Sequence, residues 1–202
     1  MSVSKIGKAA IAAALLAMGA QAGAQEAGVT TPPAYSQNYA QDRAEIEDLM
    51  ARYLFAIDYF DWDSYVGTFA PDGELEFARG VTKGRDAIRQ TVMDFSKGIG
   101  RFYHTADGNP AKLRHVILQT SIRVEGDRAW GRSLWLEMAN HGPNDEPKIG
   151  TYGLYEDEFV RLDGKWYIQR RNVLNDFLAG RHTGPANPVR QMDEAAEATL
   201  AK

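Results

Sequence analysis

Apolar positions are spaced in two different ways along this chain, and the change from one to the other divides it in half. Over Ala44–Phe69, Ile46, Leu49, Met50, Tyr53, Leu54 and Ile57 recur at steps of three and four, which predicts an amphipathic helix with one buried stripe. Asp58 lies just past the edge of that stripe. Asp61 follows as an N-cap for a second short helix, Trp62–Phe69, which the turn residues Ala70-Pro71-Asp72-Gly73 end. A short strand, Glu74–Ala78, and a third helix, Asp86–Lys97, come next. Gly98–Lys112 reads as an irregular loop holding His104.

From Leu113 the period becomes two. Strands are predicted at Leu113–Val124, Arg128–Asn140, Ile149–Arg161 and Lys165–Phe177. Glu125-Gly126-Asp127 and Asp163-Gly164 read as hairpin turns and His141–Lys148 as a longer connection. In the first of these strands, alternation puts Leu113, His115, Ile117 and Gln119 on one face, and Val116, Leu118, Ile122 and Val124 on the other. Helices followed by a four-strand meander predict an α+β domain over 44–178, with three helices covering one face of a curved antiparallel sheet. The segment 179–202 carries no evident core and reads as a tail.

Lys5 and Lys8, the apolar run Ala9–Ala20 and the small residues after it have the order of a cleaved secretory signal over 1–24. Residues 25–43, with Pro32-Pro33 and no periodicity, read as a flexible lead-in. A periplasmic or secreted protein is the expectation. The net charge is −4, and removing residues 1–24, which hold two lysines and no acid, deepens it to −6. No basic cluster remains, so neither nucleic acid nor a membrane is an expected partner. The absence of cysteine excludes disulfides, thiolate metal sites and a cysteine nucleophile.

The candidate chemistry is acid–base. His115 among apolar neighbours can act as a general base or be a satisfied core histidine. Asp58 can orient it or be a solvated helix-end acid. Tyr53 lies on the buried stripe with its hydroxyl available to a substrate oxygen. His141 stands at a strand end, either in a pocket or in a loop. Arg170 and Arg171 point to opposite faces, and one of them could hold an oxyanion. Trp62 and Trp135 are among the aromatics available to line a pocket. No metal-ligand spacing, nucleophile elbow, phosphate loop or dinucleotide fingerprint occurs.

Four pieces in order, AIDYFDWDSYVGTFAPDGELEF, KGRDAI, LRHVILQTSIRVEGDRAWGRSLW and GLYEDEFVRLDGKWYIQRR, resemble the SnoaL-like branch of the NTF2-like superfamily over about 44–177. The resemblance implies a cone-shaped barrel with a deep apolar pocket and catalysis without a cofactor, as in scytalone dehydratase, bile-acid 7α-dehydratases and diarylpropane lyases. It also implies an Asp58–His115 acid–base pair, with Tyr53 at the tyrosine–aspartate spacing of the bile-acid enzymes. His141 and Arg171 become pocket residues. The expected activity is a cofactor-independent lyase on a small hydrophobic oxygenated aromatic or polycyclic molecule, a lignin-derived diarylpropane among the candidates. A non-catalytic carrier or accessory subunit is the other expectation, since the fold serves both. Assembly into a homo-oligomer is expected, a trimer first and a dimer next.

Overall fold

The computed structural model describes residues 34–201, so the expected signal and most of the lead-in lie outside the described residues. Helix α1, Tyr39–Asp58, buries Ile46, Met50, Tyr53 and Leu54 along the predicted stripe. It begins five residues before the expected domain start, where no apolar repeat marks it. Polar contacts fix that first turn instead. Asp42 is buried, pairs with Arg161 at 2.9 Å and accepts from Trp166 Nε1 at 3.4 Å. Tyr39 Oη and Arg43 Nη2 donate to the carbonyls of Ile122 and Thr120. The lead-in is therefore structured from residue 39.

Asp61 caps α2, Trp62–Gly67, accepting from the Ser64 amide at 3.1 Å. Strand β1, Phe69–Phe77, starts earlier than expected, and Ala70–Gly73 is a wide bulge inside it: five residues of β1 pass while β6 advances by two. Strand β2, Gly80–Lys83, was not expected from its four mainly polar residues; it pairs antiparallel with β1. Helix α3, Arg85–Ile99, leads to a 3-10 turn, Gly100–Phe102.

The antiparallel meander is present as β3 Leu113–Glu125, β4 Arg128–Ala139, β5 Lys148–Leu162 and β6 Lys165–Asn175. Positive φ at both Asp163 and Gly164 suits the tight β5–β6 hairpin. The sheet order is β2-β1-β6-β5-β4-β3, with β1 parallel to β6 as its one non-antiparallel junction. The core fills the concave side between the sheet and helices α1 to α3, with Phe69, Leu75, Ile88, Phe159 and Ile168 at its centre.

The C-terminal segment is not a loose tail. Helix α4, Pro188–Leu200, is capped by Asn187 and buries Met192 and Ala196 against Trp130. Trp130 points away from the main core because Ala129 and Trp135, of opposite parity in β4, point into it. Before α4, Arg181 donates to Glu76 at 2.8 Å, and Arg170 reaches the same carboxylate at 2.6 Å. Burial pushes the Glu76 carboxyl up, but the two guanidiniums outweigh it and hold it below the usual carboxylate range. A folded-state value below the unfolded one stabilises above the ordinary carboxylate pKa and is lost as pH falls through the depressed value. Glu76→Gln should therefore lower the thermal midpoint at neutral pH, and the gap to wild type should close on acidification. A gap that is constant with pH would reject this role for Glu76.

Candidate active site

Strand β3 is one edge of the sheet, and α1 lies across it. An edge strand presents unpaired backbone groups, and here side chains of α1 satisfy several of them. Tyr39 and Arg43 take two carbonyls, as above. At the other end Asp58 accepts the His115 amide at 3.0 Å and contacts its Nδ1 at 2.6 Å. Both side chains are nearly enclosed, His115 at 12% exposure and Asp58 at 5%. A carboxylate is an acceptor, so Nδ1 carries the hydrogen, and in the neutral form of the ring Nε2 has the lone pair.

Two β-bulges flank this pair. Between Ile117 and Thr120, β3 spends three residues while β4 spends two, so Ile117 and Ile122 both face the core. Simple alternation had put them on opposite faces; the extra residue reverses the parity. The shifted register sets His115 directly opposite Glu137, whose carboxylate Oε2 lies 3.7 Å from Nε2. A second bulge, in β5 opposite Leu136–Met138, lies at Gly150 and Thr151. A Cβ on Gly150 would collide with Glu137 Oε1 and stand 3.2 Å from Tyr103 Oη. Tyr103, from the loop after α3, donates its hydroxyl to Glu137 Oε1. Burial first, and this bond second, raise the Tyr103 phenol above its ordinary value.

Glu137 and Tyr103 are functional candidates that sequence reasoning missed. A signal existed for Glu137, the one carboxylate in the inward series Ala129, Gly131, Ser133, Trp135, Glu137. None existed for Tyr103, which a loop delivers. Gly150→Ala should displace Glu137 and cut activity by at least tenfold while the thermal midpoint falls only slightly. Wild-type turnover in that variant would show that the Glu137 position does not matter.

The other predicted residues are placed differently. His141 packs edge-on to Tyr103 with ring centroids 5.0 Å apart, and its Nδ1 is 3.2 Å from the Ala139 carbonyl, so it backs Tyr103 rather than meeting His115. Trp135 is buried, donates to the Leu174 carbonyl at 3.1 Å and stands with its ring 6.3 Å from that of His115. Trp62 packs on Phe60 and Tyr65 at the start of α2. Tyr53 is buried and accepts a hydrogen bond from Tyr65 at 2.9 Å, with no hydrogen bond to His115 among the described residues. Burial raises its phenol, with Arg171 opposing.

Arg171 does turn inward and Arg170 outward, and Arg171 keeps one nitrogen, Nη1, without a hydrogen-bond partner among the described residues. It is fully buried and makes two 2.7 Å bonds to Asp157. Its guanidinium lies 4.1 Å from the ring centre of Tyr53 and 4.3 Å from that of Tyr155. Burial alone would lower its pKa, but the Asp157 carboxylate holds it above the ordinary value.

A mainly apolar cleft of about 550 Å³ runs between α1 and β3, bounded by Met50, Leu54, Asp58, His115, Ile117 and Thr120. Such a volume suits a small organic molecule. Among the described residues, no group of three or more His, Asp or Glu is arranged to hold a metal ion.

Comparison with known proteins agrees with this architecture. Residues 38–172 match the model of the SnoaL-like domain. An uncharacterised protein of Mycobacterium tuberculosis (strain ATCC 25618 / H37Rv) is 34% identical over 134 residues, 64% of this chain and 82% of that protein. Among solved structures, a candidate scytalone dehydratase of Novosphingobium aromaticivorans is 25% identical with TM-score 0.56, covering 77% of this chain and 97% of its own. An NTF2-like protein with a cystatin-like fold, also from N. aromaticivorans, is 25% identical with TM-score 0.56, covering 70% and 87%.

Proposed function

Because this chain belongs to the SnoaL-like family of NTF2-like folds, we propose that it is a cofactor-independent lyase whose general base is His115. The observation that carries the reading is the 2.6 Å contact of Asp58 with Nδ1 at the wall of an apolar cleft. Asp58 holds the ring in one tautomer and stabilises the imidazolium that forms when Nε2 takes a proton. Its second contact, to the His115 amide, ties the carboxylate to the strand that carries the ring. General-base help of this kind supplies roughly 10²–10⁴-fold, and placement in the cleft must supply the rest.

The apolar walls favour a small hydrophobic substrate, and the base requires an acidic C–H or O–H. An oxygenated aromatic or polycyclic alcohol meets both needs, a lignin-derived diarylpropane among them. Loss of water follows from removing a C–H proton beside a leaving hydroxyl. Loss of formaldehyde follows from removing the O–H proton of a hydroxymethyl group. In the second case the C–C bond breaks, formaldehyde leaves and the carbanion regains a proton.

The test incubates the purified protein with a panel of aromatic and steroid alcohols and reads the products by mass spectrometry. A loss of the mass of water or formaldehyde that disappears in His115→Ala supports the lyase. Tight binding without any loss moves the reading to a carrier of small aromatics. The export signal over 1–24 belongs to the same proposal, and intact Met1 on the protein recovered from its native cell would reject it.

A further inference from the structure

We propose that Glu137 is a second catalytic residue of this site, the acceptor that holds a substrate hydroxyl beside Nε2 of His115, and that Tyr103 positions it. The inference rests on the lyase reading and adds to it the requirement for an alcohol whose O–H is directly recognised. Oε1 of Glu137 accepts from Tyr103, and Oε2 accepts no hydrogen bond from any described residue. With the ring in its neutral, base form, Oε2 and Nε2 are both acceptors, and they stand 3.7 Å apart, beyond direct hydrogen-bond distance. A substrate hydroxyl can donate its one hydrogen to Oε2, which sets the adjoining C–H of the substrate alongside Nε2.

A purely structural account of Glu137 is hard to sustain. Its side chain is 12% exposed on the apolar face of β4, and no lysine or arginine pairs with it among the described residues. Burying a carboxylate carries a desolvation penalty that an apolar residue there would not, and only the Tyr103 hydroxyl and the His115 ring stand against it. The fold nevertheless makes room for it. A bulge in β5 puts Gly150 where any side chain would displace the carboxylate, and the bulge in β3 turns His115 toward it. Departures from regular pairing at one place, around a group that weakens the fold, mark a functional constraint. The charged and titratable groups around the ring are Asp58 from α1, Glu137 from β4 and, behind Glu137, Tyr103 with His141.

In the step this implies, Nε2 takes a C–H proton, that electron pair becomes the double bond as the C–O bond to a hydroxyl on the next carbon breaks, and the oxygen leaves as water on taking the proton back from the imidazolium, which stands meanwhile between Asp58 and Glu137. Glu137 is neither protonated nor consumed. It fixes the hydroxyl and then stabilises the cation.

The test needs no turnover. Protein labelled with ¹⁵N in its histidines is titrated with 2-phenylethanol and with its methyl ether, which lacks the O–H donor, and the His115 ring resonance is followed after assignment with His115→Ala. The alcohol should bind at least tenfold more tightly than the ether to wild type. Glu137→Met should erase that preference, and Tyr103→Phe, which keeps the carboxylate but frees it, should reduce it. Equal shifts from both probes or from neither would overturn the proposal, as would an unchanged preference in Glu137→Met. Retained thermal midpoints establish that the variants are folded. Failure here leaves Asp58 and His115 in place, because the lyase reading stands or falls on product formation and its loss in His115→Ala.

Discussion

Asp58→Asn should lower turnover by about 10³-fold or more while the protein stays folded, as removal of the partner that sets a catalytic imidazole's tautomer does elsewhere. The size of the effect follows from the two bonds that Asp58 accepts from one residue. The His115 amide lies 3.0 Å from Oδ2, and Nδ1 lies 2.6 Å from Oδ1. An asparagine must keep its oxygen on the amide, because a backbone N–H can only donate. Its NH₂ then faces Nδ1 and donates to it, which moves the ring hydrogen to Nε2. The imidazole stays in place with its base filled. His115→Ala should lose at least as much, by removing the base outright. The two losses should not add in the double variant, since both remove the same proton acceptor. Steady-state rates on an alcohol identified by product mass, with thermal unfolding as the fold control, decide the matter. Full activity in either single variant would end the assignment.

How much of this site was legible beforehand depended on whether each residue obeyed a simple period. Asp58 is at the end of a regular helix and His115 near the start of a regular strand, so each could be placed on its element from spacing alone. The four-strand meander was equally open to reading, because Gly126 and Asp163-Gly164 occupy the turn positions that need positive φ. What could not be read is what breaks period. The extra residue between Ile117 and Thr120 is invisible in a string of Leu-Gln-Thr, yet it decides which β4 residue faces His115. The start of α1 rests on Asp42, Tyr39 and Arg43 reaching residues about 80 to 120 positions away, and no local pattern reports that. Helix α4 was hidden for a related reason. Its apolar contact is only Met192 and Ala196 on Trp130, too small a stripe to stand out in an Ala/Glu-rich segment.

For Arg171 the inward direction was legible and the bond to Asp157 was not, and its removal should have the largest effect on stability of the variants considered. Arg171→Ala should destabilise the fold by about 3–5 kcal/mol, because it leaves Asp157 charged and unpaired at zero exposure in the core. The guanidinium also fills the space between the rings of Tyr53 and Tyr155, so truncation opens a cavity between them. Asp157→Ala should cost a similar amount for the mirror-image reason. Replacing both at once, as Arg171→Met with Asp157→Leu, should recover most of the loss, since the pair's Coulomb attraction is largely offset by the desolvation of both charges. A ligand-binding arginine predicts a different result. In that case Arg171→Met with Asp157→Leu would unfold at the wild-type denaturant midpoint and still fail to bind the substrate. Denaturant unfolding and substrate KM on the same three variants separate the two. Recovery of stability together with a near wild-type KM would make Arg171 and Asp157 a structural post behind the wall formed by Tyr155 and Trp135, whose rings stack 5.6 Å apart on the way to His115.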